Sequence, residues 1–261
     1  MAEYNLTIAG GRFGPVGVGG LLLGGGINYY GSKVGWSTNN ALKGGSQNFG
    51  IVTRYDMKTI AIQNVWGGTL AYPATSLDAY IHAVANFLSP EGGSADPLAA
   101  ADPLLLMYPN TSQIQPAAVL LYNAPVEKPA ALGTFTDIPA ASNSASLRTY
   151  TNFAVEQNSS SYWDRSDRRS FWATAVKATL EAVYLANTTF IKAAMEQVSD
   201  LSDLLTSITY QTITEDWLKA TRASGGDAID LDPADGAFLG KYRNSKNAMR
   251  ARLTIFSPVG I

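Results

Sequence analysis

The chain is 261 residues long, 46% hydrophobic and 15% charged, with a formal net charge of -2. That length and apolar content suit one large or two small domains with a sizeable core, and so few cations exclude a phosphate-neutralising stripe, and with it nucleic acid as a main partner. The absence of cysteine excludes disulfides, thiolate metal sites and a cysteine nucleophile, and a single histidine, His82, excludes a clustered-histidine metal centre.

The N-terminus has no basic stretch followed by an apolar one, so no signal peptide is expected, and localisation is left unassigned. No apolar run reaches membrane-spanning length. Glycosylation sequons stand at Asn5, Asn110, Asn158 and Asn187.

From Gly14 to Trp36 the chain reads GPVGVGGLLLGGGINYYGSKVGW. This is neither a Walker A loop nor a G-x-G-x-x-G turn entering a helix. Its glycines permit positive φ and close backbone approach to a ligand. Successive N–H groups there make an anion-binding concavity suited to a pyrophosphate. The same pattern fits a structural turn between strands equally well, with the leucines Leu21 to Leu23 anchoring the next strand.

GIVTRYDMKTI and NVWGGTLAYP read as strands joined by a turn near Asn64. Composition shifts at Pro73. TSLDAYIHAVANFLS then predicts a helix capped by Thr75 or Ser76, burying Leu77, Tyr80, Ile81, Val84, Phe87 and Leu88. His82 falls on the opposite side with Asp78, Ala85 and Asn86, exposed and non-catalytic. A loop follows over 89–103. LLLMYP and AAVLLYN predict two strands, and 124–146 reads as irregular. The run from Ser166 to Asp200 predicts one long helix or two short ones, with Trp163 and Trp172 as core residues at its start. LLTSITYQTIT predicts a further strand. The fold class is therefore α+β, with helices laid on an antiparallel sheet.

Two familiar sites are set aside. The tail SGGDAIDLDPADGAFLG places Asp230, Asp232, Asp235 and Gly236 one position off the calcium-loop spacing. Lys241 stands in place of the bidentate glutamate, so a solvated turn is expected. No G-x-S-x-G elbow exists, since Ser46 in GGSQN lacks the second glycine.

The ordered segments GRFGPVGVGGLLLGGGINYYGSKVGW, ALKGGSQNFGIVTRYDMKT and VWGGTLAYP resemble the FAD-binding domain of the berberine bridge enzyme-like FAD-linked oxidoreductases, of the vanillyl-alcohol-oxidase (PCMH) type. The fungal members look most similar. The resemblance implies a partial FAD-binding domain over 1–72 and a substrate domain over 73–235. Residues 236–261 would return to the FAD-binding domain. It implies that Gly17, Val18, Gly19 and Gly20 lie against the FAD pyrophosphate, with Gly24, Gly25 and Gly26 close by. Gly50, Ile51 and Val52 would contact the nucleotide through their backbone. The nearest cations, Arg12 and Lys33, are expected to give only modest, salt-sensitive help. In relatives the positions of Tyr122, Glu156, Tyr210 and Gln211, on or near sheet strands, face the flavin. Period-two alternation leaves their facing undecided here.

The departures from the family pattern are as informative. The family's N-terminal subdomain, with its flavin-linking histidine, has no counterpart. Ser37 and Thr38 stand where the second covalent attachment, a cysteine, would be. Asn40 runs directly into Ala41 where relatives insert a hairpin and a helix start. The C-terminal catalytic-tyrosine segment is also missing. The expected function is FAD-dependent oxidation of a small secondary metabolite, with any flavin held non-covalently and its site incomplete. The alternatives are a flavin-free isomerase or cyclase using the substrate-domain cavity, or a non-catalytic remnant. A partner chain or second copy would complete the flavin site.

Overall fold

In the computed structural model the described residues are 4–30 without 9, 13, 15 and 25, 51–158 without 58 and 63, and 169–246 without 203, 227–230 and 236. A short ribbon begins the fold: β1 (Leu6–Ile8) pairs antiparallel with β2 (Thr59–Ala61). Residues 51–57, read as part of a strand, have no regular structure. Between the two strands lies α1 (Val18–Leu23). The leucines expected to start a strand are thus helical. Leucine is a good helix former and carries no β-branch. Backbone bonds from Leu21 N to Gly17 O and from Gly24 N to Gly20 O, both 3.0 Å, close the turns. Leu22 is fully buried and anchors the helix.

The main sheet comprises β3 (Val65–Ala71), β4 (Ala99–Tyr108), β5 (Gln113–Tyr122), β6 (Ser142–Asn143), β7 (Ser146–Arg148), β8 (Arg169–Lys177), β9 (Leu205–Ile213) and β10 (Phe238–Lys246). Its order is β6-β3-β5-β4-β9-β10-β8, with β7 also on β3, and every pairing is antiparallel. The helices are α2 (Leu77–Phe87), α3 (Gly133–Thr136), α4 (Tyr150–Asn158), α5 (Leu180–Val198) and α6 (Glu215–Ala223). No helix among the described residues is long and apolar enough to cross a membrane.

Two readings of the sequence are corrected here. The run expected to be helical from Ser166 is a strand over 169–177, and helix begins only after Thr179, whose Oγ1 accepts from Ala182 N at 3.1 Å. Phe171, Trp172 and Val176 favour a strand, and β10 offers a partner along the whole length of β8. The tail SGGDAIDLDPADGAFLG is expected to be a loop, yet its end, from Phe238 to Gly240, opens β10, which is hydrogen-bonded to both β9 and β8. A strand so rich in charge and amide carries little apolar periodicity, so only its neighbours reveal it.

Alternation along the strands sorts their side chains into two layers. Trp66, Leu70, Leu105, Leu120, Ile208 and Tyr210 join the core under α2 and α5, which contribute Tyr80, Val84, Phe87, Val183 and Phe190. Tyr80 is buried at the centre of this layer, and its hydroxyl lies 2.9 Å from Leu104 O and 3.1 Å from Ala117 O. On the opposite face Val65, Val119 and Leu121 pack against Tyr29, Tyr30 and Phe153. The N-terminal segment and α4 therefore cover the face that the long helices leave open.

Candidate functional site

Asp102 sits mid-strand on β4. Its neighbours Ala101 and Leu105 belong to the helix-side core, so Asp102 projects from the other face. There it is fully buried. Arg12, from the segment preceding the glycines, places Nη1 3.3 Å from Asp102 Oδ1, with side chains 6% and 0% exposed. Gln211, on β9, donates from Nε2 to the same Oδ1 at 3.3 Å. The Arg12 guanidinium lies 5.6 Å from the ring centroid of Tyr29. Beside them Thr212 donates its hydroxyl to Ala101 O at 2.8 Å, tying β9 to β4.

This cluster is incompletely satisfied. Asp102 Oδ2, Gln211 Oε1 and Tyr29 Oη are buried with no hydrogen-bond partner. Each such group costs about 1–3 kcal/mol relative to a satisfied one. Burial pushes the Asp102 carboxyl above the usual carboxylate range, and the Arg12 charge pulls it back. Burial raises the Tyr29 phenol well above its ordinary value, the nearby Asp102 charge adds to this, and Arg12 opposes it.

The glycine segment adjoins α1. Gly17 is the N-cap, with φ -66° and ψ 128°, and no side chain caps the helix. The N–H groups of Val18, Gly19 and Gly20 thus have no intrahelical acceptor. The expected positive φ is not found: among the described residues only Gly225 and Gly226 are glycines of that kind. The local packing is informative instead. Among the described residues, a Cβ at Gly17 or Gly20 would meet nothing within 4 Å, and one at Gly19 would meet only Tyr55 Oη at 3.7 Å. Packing among the described residues therefore does not require glycine at these positions. Gly24 and Gly26 are different. A Cβ at Gly24 would press on Gly20 O at 3.1 Å, and one at Gly26 would strike Leu21. Ile51 is exposed and Val52 half-buried, while Gly25 and Gly50 lie outside the described residues.

Of the pocket candidates, Gln211 alone lies on the open face. Tyr210 is fully buried under the helices. Tyr122 packs on the same helix side and donates to Asp96 Oδ2 at 2.8 Å. Glu156 lies on α4, not on a strand. It pairs with Arg148 and accepts from Ser144 Oγ at 2.6 Å, which ties α4 to the β6–β7 edge. Sequence reading does not single out Asp102 or Tyr29, and it assigns Arg12 modest, salt-sensitive help at the nucleotide site, whereas Arg12 is buried against Asp102. The available signal was a lone aspartate entering the apolar run of β4.

Other expectations fall elsewhere. His82 is exposed on α2, with Nε2 3.2 Å from Tyr184 Oη. Asp232 pairs with Arg222 at 3.3 Å and caps Ala234 N at 2.9 Å. No acidic or histidine cluster among the described residues has a metal-holding arrangement. Lys33, Ser37, Thr38, the Asn40–Ala41 join, Ser46, Trp163, Asp230 and Gly236 lie outside the described residues.

The chain is 37% identical to an FAD-dependent monooxygenase, prx3, of Penicillium roqueforti, over 92% of this chain and 52% of that protein. It is 26% identical to an uncharacterized FAD-linked oxidoreductase of Arthroderma benhamiae, over 89% of this chain and 51% of that one. It spans about half the length of the curated relatives it matches. Among solved structures, 6-hydroxy-D-nicotine oxidase from Arthrobacter nicotinovorans matches with a TM-score of 0.64 at 13% identity, covering 96% of this chain and 59% of that one. Berberine bridge enzyme from Eschscholzia californica matches with a TM-score of 0.54 at 12% identity, covering 97% and 55%. At such identities these two establish the fold. No protein-family model matches the chain. Over about half their length the chain is thus similar to FAD-dependent and FAD-linked oxidoreductases, and its fold is that of the berberine bridge enzyme-like oxidoreductases.

Proposed function

We propose that this chain carries the pyrophosphate-binding segment and the substrate sheet of an FAD-dependent oxidoreductase that acts on a small secondary metabolite. One observation carries the reading. A short stretch of chain joins Arg12, buried against Asp102 on the sheet, to an uncapped glycine turn that is sterically open at Gly17 and Gly20. The relatives' names, FAD-dependent and FAD-linked, support the choice of cofactor.

The backbone N–H groups of Gly17 to Gly20 would hold the pyrophosphate, with Gly17, Gly19 and Gly20 presenting no Cβ to block approach. When bound, FAD supplies acceptance of a hydride from the substrate and re-oxidation by oxygen. The chain's residues orient the substrate: Asp102 and Gln211 face it from the sheet, while Tyr29 and Tyr30, packed on Phe153 and Tyr150, exclude water. Any flavin is held non-covalently, because the chain has no cysteine and its single histidine is on the exposed face of α2.

The site is incomplete relative to the family. The match to the Penicillium roqueforti protein runs over 269 residues, more than the 261 of this chain. That supports an internal loss, which we place at the Asn40–Ala41 join. A partner chain or a second copy would complete the flavin site. Calorimetric titration of the purified chain with FAD and with ADP tests the reading. Binding of FAD, with release of all flavin into the supernatant on denaturation, is the expected result. Failure to bind either nucleotide overturns the reading for this chain. The buried polar cluster would then favour flavin-free isomerisation or cyclisation by substrate orientation alone.

A further inference from the structure

We infer that Asp102, Gln211 and Tyr29 form a subsite for a neutral hydroxyl group, an alcohol or a phenol, on the small molecule this chain binds. That the molecule is a redox substrate rests on the oxidoreductase reading; the subsite itself does not.

The charge balance excludes ionic ligands. Arg12 and Asp102 form a buried pair, so the cluster is neutral as it stands. An added carboxylate or ammonium would be buried without compensation, which is strongly unfavourable. The inventory of unused atoms then selects the ligand. Gln211 turns its Nε2 to the Asp102 carboxylate. The reverse amide orientation would set oxygen against oxygen, so Oε1 is the free end. Asp102 Oδ2 and Gln211 Oε1 are thus acceptors awaiting a donor, and Tyr29 Oη is a donor awaiting an acceptor. A hydroxyl takes the Tyr29 proton and gives its own to one of the two acceptors, of which the Asp102 carboxylate oxygen is the stronger. A ketone or an ether only accepts, so it leaves both acceptors unmet.

The cover over these atoms is the N-terminal segment. Tyr29 and Tyr30 are held down by edge and tilted contacts with Phe153 and Tyr150, at 5.4 Å between ring centroids. Entry requires that turn to lift from the sheet. The unmet polar atoms beneath it favour lifting, because the closed form leaves them unsatisfied.

The test uses the purified full chain and three matched probes: phenol, its methyl ether anisole, and benzoate. Ligand-observed NMR titrations are run with and without FAD. Phenol is expected to bind about tenfold tighter than either other probe, a difference of about 1.4 kcal/mol. Equal affinities, preference for benzoate, or no binding of phenol overturns the subsite. Tyr29→Phe is the second arm. It removes a hydroxyl that has no partner, so the thermal midpoint is expected to hold or rise while phenol affinity drops about fivefold and anisole affinity stays. A lowered midpoint would make Tyr29 structural and overturn its role in the subsite. FAD titration separates the two readings. Phenol preference without FAD binding leaves the subsite and removes the oxidoreductase reading, and FAD binding without phenol preference does the reverse.

Discussion

Arg12 and Asp102 meet inside the protein as an ion pair, with Nη1 3.3 Å from Oδ1. One belongs to the segment leading into the glycine turn and the other to a central strand. Their contact therefore fixes where the glycine segment lies on the sheet. Removing one partner of such a pair leaves a buried uncompensated charge, at a cost of about 3–5 kcal/mol. Arg12→Met is expected to lose stability on that scale at neutral pH. Adding Asp102→Asn should recover part of the loss, since two neutral side chains bury more cheaply than one lone charge. Urea denaturation of the single and double variants checks this. Equal losses in both would mean that the pair is not the source of the effect.

The same pair has a pH signature. Burial raises the Asp102 carboxyl in the folded state, and Arg12 opposes the rise. A raised carboxyl binds its proton more tightly folded than unfolded. Its contribution to stability therefore falls as pH increases from the unfolded value through the folded one. Without Arg12 the folded value climbs further, so the unfavourable window widens upward. The penalty of Arg12→Met is thus expected to be small near about pH 4 and to grow toward neutrality. Denaturation midpoints of wild type and variant across that range measure it, and a constant penalty would contradict it.

Tyr80 anchors α2 to the sheet. Its hydroxyl reaches Leu104 O and Ala117 O on neighbouring strands from a fully buried position. Tyr80→Phe keeps the ring and removes only the donor, at an expected cost of about 1–2 kcal/mol. Tyr80→Ala also removes the packing and should cost about 3–5 kcal/mol. Equilibrium unfolding separates the two, and equal effects would show that the hydroxyl carries everything.

His82 touches Tyr184 at the exposed seam of α2 and α5. His82→Ala is expected to change stability by no more than about 0.5 kcal/mol, with FAD binding unaltered. Thermal unfolding and a FAD titration of the variant check both halves.

What the sequence reveals depends on how local the cause is. The helix burying Tyr80, Val84 and Phe87 was legible because its apolar spacing is set within a few turns. β4, β5 and β9 were legible as apolar runs. β8 and β10 were not. They exist as strands because they pair with each other, and a pairing partner is not written in either segment. The site divides in the same way. The glycine segment stood out by composition, although its leucines proved helical. Arg12, Asp102 and Tyr29 lie far apart in sequence, and only the fold brings them into one cluster.

The glycine turn gives the last prediction. Positive φ does not explain these glycines, since Gly17 has φ -66° and none of the other described glycines from Gly14 to Gly26 has positive φ. What remains is space: among the described residues a Cβ at Gly17 meets nothing within 4 Å. Gly17→Val is therefore expected to cost no more than about 1 kcal/mol, the loss of a favoured N-cap residue, while abolishing FAD and ADP binding by blocking approach to the N–H groups of α1. The control must tolerate a side chain equally well. Gly92 does not, because a Cβ there would strike Asn86 O. Gly133 does, its Cβ meeting Asp137 Oδ2 at an ordinary 3.7 Å. Gly133→Ala should bind nucleotide as wild type does. Calorimetry of wild type and both variants decides the matter. Undiminished binding by Gly17→Val would place the nucleotide elsewhere, whereas a stability loss well above the roughly 1 kcal/mol of the cap would mean that something in the chain, and no ligand, occupies the space beside Gly17.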